Sequence, residues 1–211
     1  MALSKIIKIN NKLSWALWKI DSGWEAMQRE HVFSPGVLHT LNKISHPQKK
    51  AEFLASRLAL FTLLDTAGIG RYELVKDRFG KPFVKDATVH ISLANSFPYA
   101  VAILDLDKPT GIDIESPSDK LVRVQHKFLH NRELPLVKDH QDKLCLAWCA
   151  KESLYKLYGR KSLSFKQHIC IHKIAYPHHG MLSAEISYED HFSRHRLHIE
   201  KERNFFITFC V

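Results

Sequence analysis

Two carboxylates two residues apart open the chemical reading of this sequence: Asp113 and Glu115, within Gly111-Ile112-Asp113-Ile114-Glu115. On a β-strand alternate side chains share a face, so both acids project to one side, with Cα atoms about 7 Å apart, and Ile112 and Ile114 project to the other. Such a pair can converge on one hard cation. The same alternation also describes a half-buried strand with a solvated acidic face, and the spacing alone does not choose between the two.

A second group follows at Lys151 and Glu152. The preceding run, Leu144-Cys145-Leu146-Ala147-Trp148-Cys149-Ala150, is apolar on every side of a helix and is therefore expected to be buried. Charges entering directly after such a run must be paired, near the surface or serving a ligand, because an unpartnered buried charge costs several kcal/mol on a rough scale. Lys156 lies four residues after Glu152 on the same helical face, a spacing that also suits a simple surface pair worth about 0.2–0.5 kcal/mol. A third group, Arg78-Phe79-Gly80-Lys81-Pro82, sets two cations on a short loop that Gly80 lets turn tightly and Pro82 stiffens. It reads as a phosphate site or as a basic surface turn. Among the 14 histidines, His178-His179 and His191-x-x-x-His195 lack the glutamate of a zinc-protease motif and any accompanying cysteine pair, so histidine metal binding is not expected.

The elements that must position these groups follow from periodicity and punctuation. Residues 46–64 read as a helix, with Pro47 in its first turn and Phe53, Leu54, Arg57, Leu58, Phe61 and Leu64 at helical spacing. Strands are expected at 72–75, 89–93, 99–104 and 111–115, the middle two joined by a turn at 95–98, together forming an antiparallel meander. A second helix spans about 141–158 and stops at Gly159, and strands follow at about 168–174, 181–188, 195–200 and 204–210. The first 40 residues, with Trp15, Trp18 and Trp24, read as strand and packing. Helix followed by strands thus occurs twice. The expected class is α+β, with two similar lobes, residues 1–107 and 108–211, and a cleft between them.

The 211 residues, 45% hydrophobic and 25% charged, describe an ordinary globular composition that needs no disulfide or metal to fold. Cys145, Cys149, Cys170 and Cys210 show no paired C-x-x-C spacing and are expected as free thiols. No apolar run approaches the roughly 20 residues of a membrane span, and the first 18 residues lack a signal peptide's apolar core and cleavage site, so a cytoplasmic protein without a membrane partner is expected. Lysine and arginine outnumber aspartate and glutamate by 31 to 22, for a net charge of +9. That balance favours anionic partners: nucleic acid, acidic proteins or phosphorylated cofactors. The basic residues form no long block and no nucleic-acid-binding module signature is present, which argues against nucleic acid.

The motifs occur in a recognisable order: Gly80-Lys81-Pro82, a serine-containing hairpin, Gly111-Ile112-Asp113-Ile114-Glu115, then Trp148-x-x-Lys151-Glu152-Ser153-x-x-Lys156. Over roughly residues 46–160 this resembles the 4′-phosphopantetheinyl transferases, in particular the longer, monomeric Sfp-like group. The resemblance implies two pseudo-two-fold related lobes, each a long helix on a small antiparallel sheet, with the active site in the cleft between them. It implies a magnesium-dependent holo-[acyl-carrier-protein] synthase that moves phosphopantetheine from coenzyme A to a serine of an acidic carrier protein and releases adenosine 3′,5′-bisphosphate. The pathway would be fatty acid, polyketide or nonribosomal peptide biosynthesis. Carried over by motif, Asp113, Glu115 and Glu152 are the magnesium ligands, and Glu152, Lys151 and Asp113 the catalytic residues. Lys151 and Lys156 contact the diphosphate, and Arg78, Gly80, Lys81, Pro82, Ser92, Asn95 and Ser96 belong to the nucleotide-end site. Phe128 and Glu133 match a further family segment, with Glu133 near the reaction centre. The family's hairpin commonly carries Ser-His-Ser, whose histidine contacts the 3′-phosphate. Here Ala94-Asn95-Ser96 stands in its place, and Asn95 can donate a hydrogen bond but carries no charge. A binding module of the same fold that holds coenzyme A or a carrier protein without transfer is the alternative reading.

Overall fold

The structure is a computed structural model and describes residues 2–70, 73–137, 140–174 and 180–211. The chain is mixed α/β and divides into two compact units, residues 1–110 and 111–211.

The first unit begins with the hairpin of β1 (Ala2–Lys8) and β2 (Leu13–Lys19), followed by α1 (Trp24–Glu30) and α2 (Pro35–Asn42). Ser34 caps α2 by accepting the Val37 N–H, with Pro35 at the first helical position. The long helix α3 (Pro47–Thr66) begins at a proline, as its sequence expects, and ends two residues before Gly68, whose φ is +73°. Then come the small hairpin β3 (Leu74–Lys76) and β4 (Pro82–Val84), and the larger hairpin β5 (His90–Ser96) and β6 (Tyr99–Asp105). The strand expected at 72–75 is thus seen from Leu74, and Tyr72 lies outside the described residues. The main sheet runs β1-β2-β6-β5, antiparallel throughout. Leu54, Leu58, Leu60 and Leu64 of α3 form a core with Ala16, Trp18, Ala100, Ala102 and Leu104 of the sheet. Trp15 is fully buried, and Lys50 sets its ammonium 4.0 Å from the centre of the Trp24 ring.

The second unit opens with β7 (Ile112–Glu115), α4 (Asp119–Phe128), a 3-10 turn at Asn131–Glu133, and α5 (Leu134–Val137). The long helix α6 (Gln141–Tyr158) ends on Gly159 at φ +71°, the left-handed cap that a glycine supplies without steric cost. The short α7 (Phe165–His168) leads into β8 (Ile169–Lys173), β9 (Gly180–Tyr188), β10 (His191–Glu202) and β11 (Phe205–Cys210), close to the four expected strands. The sheet order is β7-β11-β10-β9-β8.

One expectation is corrected. Residues 111–115 do not extend a meander from the preceding hairpin. β7 pairs with the C-terminal β11, Asp113 opposite Thr208, while β6 pairs with β5 and β2. Local order suggested a neighbour, but the buried Ile112 and Ile114 find their partners almost a hundred residues away in Phe209 and Ile207. Among the described residues no helix is long and apolar enough to cross a membrane.

Candidate active site

α6 organises the second unit because its faces diverge. Successive helical residues point about 100° apart, so neighbours in sequence meet different surroundings. Trp148 faces aromatic rings: its own lies 4.9 Å from that of Phe128 and 5.5 Å from that of Phe165, which also touches Tyr155 at 5.4 Å. These contacts tie α4 and α7 to α6 and give Trp148 and Phe128 a packing role.

Lys151 turns inward and is fully buried. Its ammonium lies 2.8 Å from Glu133 Oε2 and donates to the carbonyls of Phe165 at 2.8 Å and Ile169 at 2.6 Å. Glu133, equally buried, also accepts the N–H groups of His130 and Ile171, each at 2.7 Å. Burial pushes the Lys151 pKa down, and the Glu133 carboxylate opposes that shift. Here the structure departs from the sequence reading. An ammonium has three donors, and all three are spent inside the unit, so Lys151 does not present a cation to a phosphate. It is the clamp that joins α6 to the 3-10 turn, α7 and β8. Glu133 belongs to the same clamp.

Cys149 and Ser153 face β11. The Ser153 hydroxyl lies 2.8 Å from both the carbonyl and the hydroxyl oxygen of Thr208, which in turn donates to the Cys149 sulfur at 3.5 Å. At Gly111, just before β7, a Cβ would sit 2.0 Å from the Ser153 carbonyl oxygen and 2.7 Å from the Leu157 nitrogen. The strand can therefore approach the helix only with glycine there, and this close approach brings Asp113 to Lys156.

The remaining groups gather at that approach. Lys156 donates to Asp113 Oδ1 at 2.7 Å and to the Ile112 carbonyl at 3.1 Å, so it bridges helix and strand and is more than a surface partner of Glu152. Asp113 is only 7% exposed; burial raises its pKa, and Lys156 works against that rise. Glu152 is half-buried, and its pKa is pushed up to about 7, first by burial and then by the nearby Asp113 and Glu115 charges, with Lys156 in opposition. Glu115 is half-buried at the end of β7, where its carboxylate accepts the Ser116 N–H at 3.0 Å. Asp113, Glu115, Glu152 and Lys156 thus gather on β7 and α6. The acidic strand is no solvated face, since Asp113 is buried in the sheet.

The test for a cation here is the donor chemistry. Asp113 and Glu115 add to the burial that raises the Glu152 pKa, so the three carboxylates form a set of hard oxygens with an electrostatic deficit that a divalent ion would relieve. Their oxygens are not drawn into one tight cage: among the described residues, the group of three ligand atoms within 4.8 Å of one another lies elsewhere, on β8 and β9. Asp113 is held by Lys156 and Glu115 by its own loop. The residues fit a magnesium ion that takes a few protein oxygens and keeps others from water and phosphate.

The other expected residues lie in the first unit. Arg78, Gly80, Lys81 and Pro82 form the turn between β3 and β4, and Arg78 is exposed with its guanidinium 4.7 Å from the Phe79 ring centre. Asp77, which the sequence reading passed over, builds this turn: its carboxylate accepts the N–H groups of Phe79 at 2.8 Å and Lys81 at 2.9 Å, and Gly80 takes φ +89°. Asn95 is exposed and Ser96 half-buried near the tip of the β5–β6 hairpin, whereas Ser92 is only 3% exposed within the strand. In the sequence Arg57 is one member of a helical stripe. Its guanidinium donates to the Phe53 carbonyl and the Ser56 hydroxyl and lies 3.6 Å from the Phe53 ring centre, and burial lowers its pKa to about 10.

Comparison with known proteins bears on the whole of the second unit. Residues 109–210 match the sequence model of the 4′-phosphopantetheinyl transferase superfamily. The 4′-phosphopantetheinyl transferase gsp of Aneurinibacillus migulanus is 29% identical over 90 residues, covering 40% of this chain and 37% of that protein. The holo-[acyl-carrier-protein] synthase of Staphylococcus aureus strain JH9 is also 29% identical over 90 residues, covering 37% of this chain and 76% of that protein. The alignment thus spans well under half of the first relative and most of the second. By the match across residues 109–210, the second unit, which holds β7 and α6 with all their clustered charges, belongs to the 4′-phosphopantetheinyl transferase superfamily.

Proposed function

We propose that this protein transfers 4′-phosphopantetheine from coenzyme A to a serine of an apo carrier protein, releasing adenosine 3′,5′-bisphosphate, with magnesium as cofactor. The observation that carries the proposal is the carboxylate set around Lys156, in which Glu152 reaches a pKa of about 7 through burial and the charges of Asp113 and Glu115. Phosphoryl transfer asks a protein for alignment and charge neutralisation more than for covalent help. Asp113, Glu115 and Glu152 would hold the magnesium ion, which when bound supplies neutralising charge to the diphosphate. Lys156, a quarter exposed on its side chain, orients Asp113 and offers positive charge beside it. Glu152 is the acid of the three suited to take up the serine proton near neutrality. Lys151 acts at a distance, by fixing the turn of α6 that carries Glu152.

Arg78, Gly80, Lys81, Pro82, Asn95 and Ser96 of the first unit are proposed for the nucleotide end of coenzyme A, with Ser92 supporting the strand that carries Asn95. The exposed basic face of α4, with Lys120, Arg123 and Lys127, suits an acidic carrier protein. The reading places the protein in the cytoplasm as a monomer of the Sfp-like type, built of two pseudo-duplicated parts, 1–107 and 108–211, and serving fatty acid, polyketide or nonribosomal peptide carriers.

The test is incubation with coenzyme A, magnesium and several apo carrier proteins, followed by intact mass. A gain of one phosphopantetheine on at least one carrier is expected, and Asp113→Ala and Glu152→Ala should each lose most of the rate. No gain on any carrier, with coenzyme A still bound, would leave only the binding-module reading standing.

A further inference from the structure

β8 and β9 carry a second group of donor atoms, of a different chemistry from the carboxylate set. Cys170 and His172 are two residues apart on β8 and so lean to the same face, and Glu185 on β9 is the register partner of Cys170. One ligand atom from each of Cys170, His172 and Glu185 lies within 4.8 Å of the other two, with His172 Nε2 3.0 Å from Glu185 Oε2. The pairing of the two strands slips between Ile171 and Lys173, at the residue whose side chain completes the group. Irregularities of this kind re-aim side chains. The group is closed on one side and open on the other: Cys170 is 7% exposed, while the His172 side chain is 42% and that of Glu185 18% exposed. Arg194, opposite Glu185 on β10, turns its guanidinium to the Phe192 ring, 5.6 Å from its centre.

A hydrogen bond between His172 and Glu185 would explain two of the three residues and leave the sulfur beside them without a purpose. One thiolate, one imidazole and one carboxylate with an open fourth side is a ligand set for a borderline-soft ion. It is a poor set for magnesium or calcium, which take oxygen throughout. We propose that Cys170, His172 and Glu185 form a binding site for a first-row divalent cation, zinc foremost. On binding, the Cys170 thiol gives its proton to solvent and its sulfur bonds the metal, with the imidazole, a Glu185 oxygen and one water completing four ligands. The ion would staple β8, the edge strand whose Ile169 carbonyl and Ile171 N–H anchor Lys151 and Glu133, to β9.

The experiment is titration of the metal-free full-length protein with cobalt(II), then zinc, in the presence of excess magnesium. One equivalent of cobalt should produce a thiolate-to-cobalt charge-transfer band in the near ultraviolet, which zinc bleaches and magnesium leaves unchanged. Cys170→Ser should abolish the band. Loss of an outer-shell partner typically costs about 10–100-fold in metal affinity, so His172→Ala, which removes a ligand, should weaken zinc by at least that. Absence of the band in the wild type, or its persistence in Cys170→Ser, overturns the site. Should Cys170→Ser misfold, His172→Ala at its exposed position decides alone: unchanged zinc affinity there overturns the proposal. None of these readouts depends on transferase activity.

Discussion

The two units pose the same structural problem and solve it differently. Each lays a long helix, α3 or α6, against an antiparallel sheet, and each helix buries polar side chains. In α3 those side chains are satisfied within the helix itself: Glu52 accepts from Gln48 and Lys49, and Ser56 donates to the Phe53 carbonyl. In α6 they reach other elements: Lys151 to Glu133 and β8, Ser153 to Thr208, Lys156 to Asp113. Apolar packing tolerates small slides of a helix over a sheet, whereas directional hydrogen bonds fix its register and rotation. The unit that carries the proposed chemistry is the one whose helix is wired across the fold.

The largest effect expected from this difference is at Lys151. Removing one partner of a buried ion pair leaves the other charge uncompensated and costs about 3–5 kcal/mol. Lys151→Met should therefore destabilise the protein by that order in chemical denaturation, and the double change with Glu133→Leu should recover a large part. Glu52→Gln in the first unit keeps its neighbours and one end in contact with an exposed lysine, so about 1 kcal/mol or less is expected. Equal costs at the two positions would remove the distinction between the units.

Next comes Gly111. An alanine there must displace backbone atoms of Ser153 and Leu157, and overpacking of this kind costs about 1–3 kcal/mol. Because the strand would be pushed from the helix, Lys156 should also lose its hold on Asp113. Transfer activity should then fall further than the stability loss explains, and a Gly36→Ala control, where nothing lies within 4 Å, should do neither.

How much of this could be read from the chain follows from the range of the contacts. The two long helices, the Gly159 cap and the β5–β6 hairpin are set by neighbours a few residues apart, and the sequence reading found them. The acidic pair is legible from strand alternation, and Glu152 from its place after an apolar run, where charge needs an explanation. The buried clamp of Lys151 is not legible, because adjacency to Glu152 conceals the 100° between them and its partner Glu133 lies eighteen residues upstream. Thr208 gave no signal at all: a threonine in a hydrophobic C-terminal strand is unremarkable until β7 is known to pair with it. The meander failed for the same reason, since strand pairing across almost a hundred residues leaves no local mark.

A smaller effect tests whether the carboxylate set is under electrostatic strain. The Glu152 pKa is raised from 4.5 in the unfolded chain to about 7 in the folded one. Between those values the folded protein holds a proton that the unfolded chain has released, so this group's contribution is full below pH 4.5 and is lost as the pH rises to about 7. Glu152→Gln removes that loss. The variant should gain on the wild type as pH rises, by about 1–2 kcal/mol at pH 8 once solvent access to this half-buried group is discounted, and the gain should vanish below pH 4.5. At roughly 2–4 °C per kcal/mol for a chain of this size, thermal melts at pH 4.5 and pH 8 resolve it. Magnesium should narrow the gap at pH 8 by stabilising only the wild type. A pH-independent difference would mean that neither burial nor the charges of Asp113 and Glu115 raise the Glu152 pKa in the folded chain.

The smallest effect separates wiring from mere polarity. Ser153→Ala deletes the hydroxyl that meets Thr208, and a net hydrogen bond of this kind is worth about 0.5–1.5 kcal/mol. Thr62→Ala on α3 deletes a hydroxyl whose bond to the Leu58 carbonyl stays inside the helix, and less is expected because that carbonyl remains in the helical ladder. The informative quantity is the effect on magnesium-dependent transfer. Ser153 lies one position from Glu152 and holds α6 to the strand that pairs with Asp113. Ser153→Ala should therefore shift the magnesium requirement upward at saturating coenzyme A, and Thr62→Ala should not. If both leave that requirement unchanged, the hydrogen bonds across the second unit stabilise the fold without positioning the carboxylates, and Gly111 alone sets the approach of strand to helix.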